Sequence, residues 1–135
     1  MKILCHDSFG NPQANQQVNR VGKYLYKNID GALEYKISPN IFNMWFTLLY
    51  EVPNMGPKYK RVDDDLHEMV INIGITTYQN KIRVNVIEET PNERTIGHDV
   101  YKPEEMINLA EASDKIFDRV VQRVSRAYKD YDFVF

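Results

Sequence analysis

After Asn11-Pro12, apolar residues recur every three or four positions, at Ala14, Val18, Val21, Leu25 and Ile29. That is the period of a helix with one buried face. Asn11 suits the N-cap and Pro12 the first helical turn. The helix is predicted to end between Asn28 and Gly31, where glycine supplies the left-handed backbone that other residues avoid. Ahead of it, Lys2-Ile3-Leu4-Cys5-His6 reads as a strand closed by the turn formers from Asp7 to Pro12. Behind it, Leu33, Tyr35 and Ile37 alternate with Glu34 and Lys36, the period of a half-buried strand. Strand, helix and strand in succession predict an N-terminal β-α-β segment with a right-handed parallel crossover. Ser38-Pro39 then repeats the cap-and-proline signal, and Ile41, Phe42, Met44, Trp45, Leu48 and Leu49 follow at helical spacing. Residues 41–49 are therefore predicted as a short buried helix.

Residues 51–65 combine Pro53, Gly56 and Pro57 with a run of charges, the mark of an irregular loop. Beyond them Met69, Ile71, Ile73 and Ile75 share one parity, and Ile82, Val84 and Val86 share one in the next run. A hairpin turning near Gln79-Asn80 and a second turn at residues 90–93 predict a three-stranded antiparallel meander ending near Tyr101. Pro103, followed by Glu104 and Glu105, opens a predicted long C-terminal helix with Arg119, Arg123, Arg126 and Lys129 toward its end, as the helix dipole favours. Its apolar stripe runs through Met106, Leu109, Ala110, Ile116, Phe117, Val120, Val121, Val124 and Tyr128. Extended to Lys129, it would be about 40 Å long and would overhang a small meander. The predicted fold is α+β, with the long helix covering the meander.

With 135 residues, 43% hydrophobic and 12% aromatic, the chain suits a single domain over 1–135 with an ample core. Its one cysteine, Cys5, cannot form an internal disulfide. Neither a secretory leader nor an apolar run of membrane-spanning length is apparent, so a cytoplasmic protein without a membrane partner is expected. The formal charge of -2, from 17 basic and 19 acidic residues, provides no global field for nucleic acid or anionic membranes.

Four groups of residues have types that carry chemistry. The loop Cys5 to Asn11 leads from a predicted strand to a helix N-terminus, where free N–H groups bind anions. However, Asp7 opposes phosphate there, Gly10 is its only glycine, and no arginine follows Cys5, so a capped turn with a small thiol is the plainer reading. Asp63, Asp65 and His67 would share one face of a strand and could hold a divalent cation. No glycine bends that segment, and Lys58, Lys60 and Arg61 neutralise it, which favours a solvated loop. The same three cations, next to three aspartates, are too few for effective nucleic-acid binding. His98 has the parity of Ile96 and Val100 and is read as a satisfied or partly buried sheet histidine rather than a general base.

The last eight residues carry Tyr128, Tyr131, Phe133, Val134 and Phe135, where chain ends are usually polar. These side chains either dock on the chain's own sheet or anchor a partner, and Tyr128, Tyr131, Phe133 and Phe135 are the candidate partner-binding residues. No motif for a cofactor, a metal or catalysis emerges. The sequence thus points to a non-enzymatic protein-interaction or structural module, compatible with a subunit of a larger assembly or a homo-oligomer, with another protein as partner. The alternative is a small enzyme or anion-binding protein built on Cys5 to Asn11.

Overall fold

A computed structural model describes residues 12–51, 66–129 and 131–134. Two helices and six strands follow in the order α1 (Pro12–Asn28), β1 (Ala32–Ser38), β2 (Ile41–Glu51), β3 (Leu66–Tyr78), β4 (Lys81–Thr90), β5 (Arg94–Tyr101), α2 (Leu109–Ala127) and β6 (Asp132–Val134), with a short 3-10 turn at Pro103–Met106 before α2. The strands form one antiparallel sheet in the sequential order β1-β2-β3-β4-β5, and β6 is added against β2. Because β3 pairs with β2 along its whole length, β1 and β6 share the opposite edge of β2, at residues 41–46 and 49–51.

The predicted α+β class is present, but the meander has five consecutive strands rather than three. Residues 41–49 are not a helix: they lie in β2, inside the sheet. Phe42, Met44, Phe46, Leu48 and Tyr50 are buried beneath the helices, while Asn43, Trp45, Thr47 and Leu49 lie half-buried on the other face. Apolar residues on both faces fill in the alternation, and the run then satisfies a helical spacing equally well. Ser38-Pro39 does not cap a helix; Pro39 and Asn40 are the two-residue turn of the β1–β2 hairpin, which Ser38 and Ile41 close. β1 is antiparallel to β2, so the expected parallel crossover is not formed by any described strand. The expected strand Lys2 to His6 lies outside the described residues.

Both helices cover the same face. α1 places Val18, Val21 and Leu25 on it, and α2 adds Ala112, Ile116, Val120 and Val124. The sheet meets them with Phe42, Met44 and Phe46 of β2, Ile71, Ile73 and Ile75 of β3, and Ile82, Val84 and Val86 of β4. α1 can approach closely because Gly22 faces the Phe42 ring, which a Cβ would overlap. Gly31 has φ +84°, as its place after α1 predicts, and its carbonyl accepts a 2.9 Å hydrogen bond from the Thr47 N–H. Gln79 and Asn80 both have positive φ in the β3–β4 hairpin, the two-residue turn whose twist matches that of paired strands.

α2 is shorter than expected. The helix proper begins at Asn108, whose side chain accepts from the Glu111 N–H at 3.1 Å, and the proline signal starts only the 3-10 turn. Nineteen residues span about 28 Å, and Ala110 is exposed rather than part of the stripe. α2 is tied to β5 by Asp99, which accepts from Arg123 at 2.7 and 2.8 Å and from Arg119 at 3.1 Å. Arg123 also donates to the His98 carbonyl at 2.7 Å and lies against Gly97, so that a side chain there would displace the guanidinium.

Ile73 is fully buried in the central strand, so Ile73→Ala should cost ~2 to 5 kcal/mol in chemical denaturation by opening a cavity. The hydrogen bonds from Arg123, then the one from Arg119, hold the Asp99 carboxyl below its ordinary pKa. A carboxylate pKa depressed by folding stabilises above the unfolded value of ~3.9 and ceases to do so as pH falls through the folded value. Asp99→Asn should therefore destabilise by ~1 to 3 kcal/mol at pH 7, with the gap to wild type closing in unfolding titrations carried below pH ~4.

Candidate functional site

Of the C-terminal aromatic residues, Tyr128, Tyr131 and Phe133 dock on the chain's own core and sheet. After α2 the Tyr128 N–H closes on the Val124 carbonyl, and the Tyr131 N–H bonds the Tyr128 carbonyl, turning the chain back toward β2. β6 then pairs Phe133 with Tyr50. The Tyr131 ring stacks on Tyr50 at 4.8 Å with an interplanar angle of 3° and on Tyr128 at 5.1 Å. The Arg94 guanidinium lies 5.0 Å from the centre of the Tyr128 ring. Tyr128 is buried, while Tyr131 and Phe133 are half-buried against the core; Phe135 lies outside the described residues. Burial, followed by the nearby Tyr131 and Glu88, raises the Tyr50 phenol pKa. Glu88, wholly buried, accepts the Asn92 N–H at 2.9 Å through Oε2, and its Oε1 has no partner among the described residues.

Of the other candidates, only His67 and His98 are among the described residues. Cys5 to Asn11, Asp63, Asp65 and the cations Lys58, Lys60 and Arg61 all lie outside the described residues. His67 is exposed on β3 beside Tyr50, with ring centres 5.4 Å apart. His98 is exposed, not partly buried as its parity suggests. A register shift opposite Val86 and Ile87 makes Ile96 an extra residue that packs on the core, while His98 falls opposite Asn85 on the uncovered face. Among the described residues no group of three or more histidine, cysteine, aspartate or glutamate side chains could hold a metal ion. No described helix is long and apolar enough to cross a membrane.

The surface that sequence reasoning missed is the β1 hairpin. All of β1 except Ala32 is exposed. Leu33, Tyr35 and Ile37 keep 53%, 41% and 43% of their surface, and Ile41 across the turn keeps 36%. Read alone, Leu33-Glu34-Tyr35-Lys36-Ile37 promises a half-buried strand, because alternation reports a face to be buried and not whether this chain buries it. Its Tyr35 ring is held in place: Tyr26 of α1 meets it edge-on at 4.8 Å, and Phe42 stacks beneath it at 5.3 Å. On the uncovered face Lys36 places its ammonium 5.7 Å from the Trp45 ring centre. A shallow depression of about 400 Å³ adjoins the start of the strand, lined in part by Leu33, Thr47, Leu49 and Glu68.

Among the described residues β1 pairs only with β2, so alternate N–H and C=O groups along its outer side point away from the sheet. The opposite edge strand, β5, has eight residues, one register shift and the charged Arg94 and Asp99, and β1 is similar in these respects, with seven residues, a register shift between Ala32 and Glu34 and the charged Glu34 and Lys36. What sets β1 apart is the cluster of exposed apolar side chains Leu33, Tyr35 and Ile37. No known protein family, curated protein or solved structure matches the chain.

Since Tyr131 and Phe133 pack on the core, deleting residues 131–135 should lower stability by at least ~2 kcal/mol, about the burial of one or two aromatic side chains. A thermal midpoint within a degree of the parent would show that this tail contributes nothing to the fold.

Proposed function

We propose that this protein is a non-enzymatic interaction or structural module whose contact element is the outer edge of β1. The observation that carries the proposal is the combination on one strand of a backbone edge unpaired among the described residues and three exposed apolar side chains, Leu33, Tyr35 and Ile37. A sheet edge recruits another strand through main-chain hydrogen bonds, with alternate side chains supplying selectivity. Fixing an aromatic ring before contact lowers the entropy lost on binding, and Tyr35 is fixed in this way between Tyr26 and Phe42.

No observation on the described residues favours the enzyme reading. Its centre, Cys5 to Asn11, lies outside them, and His98 points from the uncovered face into solvent instead of toward a cleft.

Ile37→Lys tests the proposal, since an edge lysine disfavours strand addition. Ile37 is already 43% exposed, so the substitution should change folding stability by no more than ~0.5 kcal/mol. In size-exclusion chromatography of native extracts, wild type should elute above the 15.9 kDa monomer mass and Ile37→Lys at it. Wild type that is monomeric both in extract and when purified would contradict the reading.

A further inference from the structure

We infer that the strand β1 recruits is β1 of a second copy, paired antiparallel about a two-fold axis through Tyr35. This inference rests on the reading of β1 as a contact edge and adds the identity of what it contacts. Register decides the arrangement. A two-fold axis perpendicular to the sheet joins the two sheets with their helices on the same side and keeps each row of side chains on its own face. Because side chains alternate along a strand, only registers centred on a residue satisfy that condition.

The sequence of β1, Ala32-Leu33-Glu34-Tyr35-Lys36-Ile37-Ser38, distinguishes among those registers. Centring on Glu34 sets glutamate against glutamate, and centring on Lys36 sets lysine against lysine. Directly opposed like charges destabilise a strand pair. Centring further out leaves fewer residues paired. Centring on Tyr35 sets Glu34 opposite the partner's Lys36 and Lys36 opposite the partner's Glu34. The same register joins the two exposed Tyr35 residues at the axis, while Leu33, the extra residue where β1 shifts register between Ala32 and Glu34, lies outside the regularly paired run. Charge complementarity thus selects one arrangement.

The helices leave room for it. α1 packs chiefly over β2 and β3, so across two β1 strands the paired α1 helices would lie at least ~14 Å apart, three strand spacings, against the 8 to 10 Å of helices in contact. Each copy contributes one seven-residue strand, well short of the ~20 to 30 residues per side of a stable standard interface. The dimer is accordingly reversible, with a dissociation constant in the micromolar range.

Charge exchange at the edge, read by sedimentation equilibrium of the purified full chain, tests the inference. Wild type should show a reversible monomer–dimer equilibrium. Glu34→Lys and Lys36→Glu, each made alone at exposed positions, should weaken it by roughly 10-fold or more, because two opposed pairs become repulsive at once. An equimolar mixture of the two single variants should dimerise again, as should the double variant Glu34→Lys/Lys36→Glu. Circular dichroism confirms that each variant is folded, and if one single variant fails to fold, the double variant still separates pairing from folding. Wild type that remains monomeric at ~300 µM, far above a micromolar dissociation constant, would overturn the second copy as partner. If that monomer still entered a larger species in extract through Ile37, the edge would serve a different protein. A dimer that ignores both single substitutions, or that mixing does not restore, would also overturn the register.

Discussion

The organisation of this molecule follows from one constraint: the large buried apolar side chains of its central strands lie on one face. In β2, β3 and β4 the large side chains beneath the helices form one continuous apolar layer from Phe42 to Val86. Sliding any of these strands by one residue would exchange that layer for Asn43, Trp45 and Thr47 or their neighbours. The register of the sheet is therefore strongly specified, and both helices must lie on the same side. α1 and α2 meet over the sheet and seal the layer together. Neither could cover it alone, because a helix is about 10 Å wide, only about two strand spacings.

Covering one face with two helices has consequences at the margins. At the β5 side, α2 is held by the Asp99 carboxylate between Arg119 and Arg123, a charge-assisted link where the apolar layer thins out. At the far end of α2, the turn after Tyr128 returns the chain to β2, and the aromatic rings from Tyr50 to Tyr128 close the corner as a stack. β6 and β1 divide one edge of β2 between them. At the β1 side no described element continues the sheet, and there the apolar surface reaches solvent. An edge of this kind is either a liability or a contact, and the pairing of Glu34 with Lys36 under two-fold symmetry supports contact.

Much of this was legible from residue spacing where one period had no rival. α1, the β3–β4 hairpin, the left-handed Gly31 and the run of α2 all carry an unambiguous signal of that kind. β2 was not legible as a strand, because Trp45 and Leu49 occupy its second face and erase the alternation. The true start of α2 was concealed by Pro103, which is as well suited to a 3-10 turn as to a helix. His98 was misplaced by a single extra residue, Ile96, which inverts the parity of everything before it. The exposed apolar edge was invisible for a more basic reason: a strand pattern carries no information about how much of the strand its own fold will cover. Selection among registers, by contrast, needed only the sequence of β1 once the topology showed that strand to be at the edge.

Amide hydrogen exchange measured strand by strand, at protein concentrations well below and well above the dissociation constant, tests the central claim most directly. The amides of β3 should be strongly protected at both concentrations. The outward-facing amides of β1, which have no strand partner among the described residues, should exchange rapidly in dilute solution and become protected when concentrated, as a second copy supplies their acceptors. Protection in β1 that does not depend on concentration, whether high or low throughout, would contradict that claim.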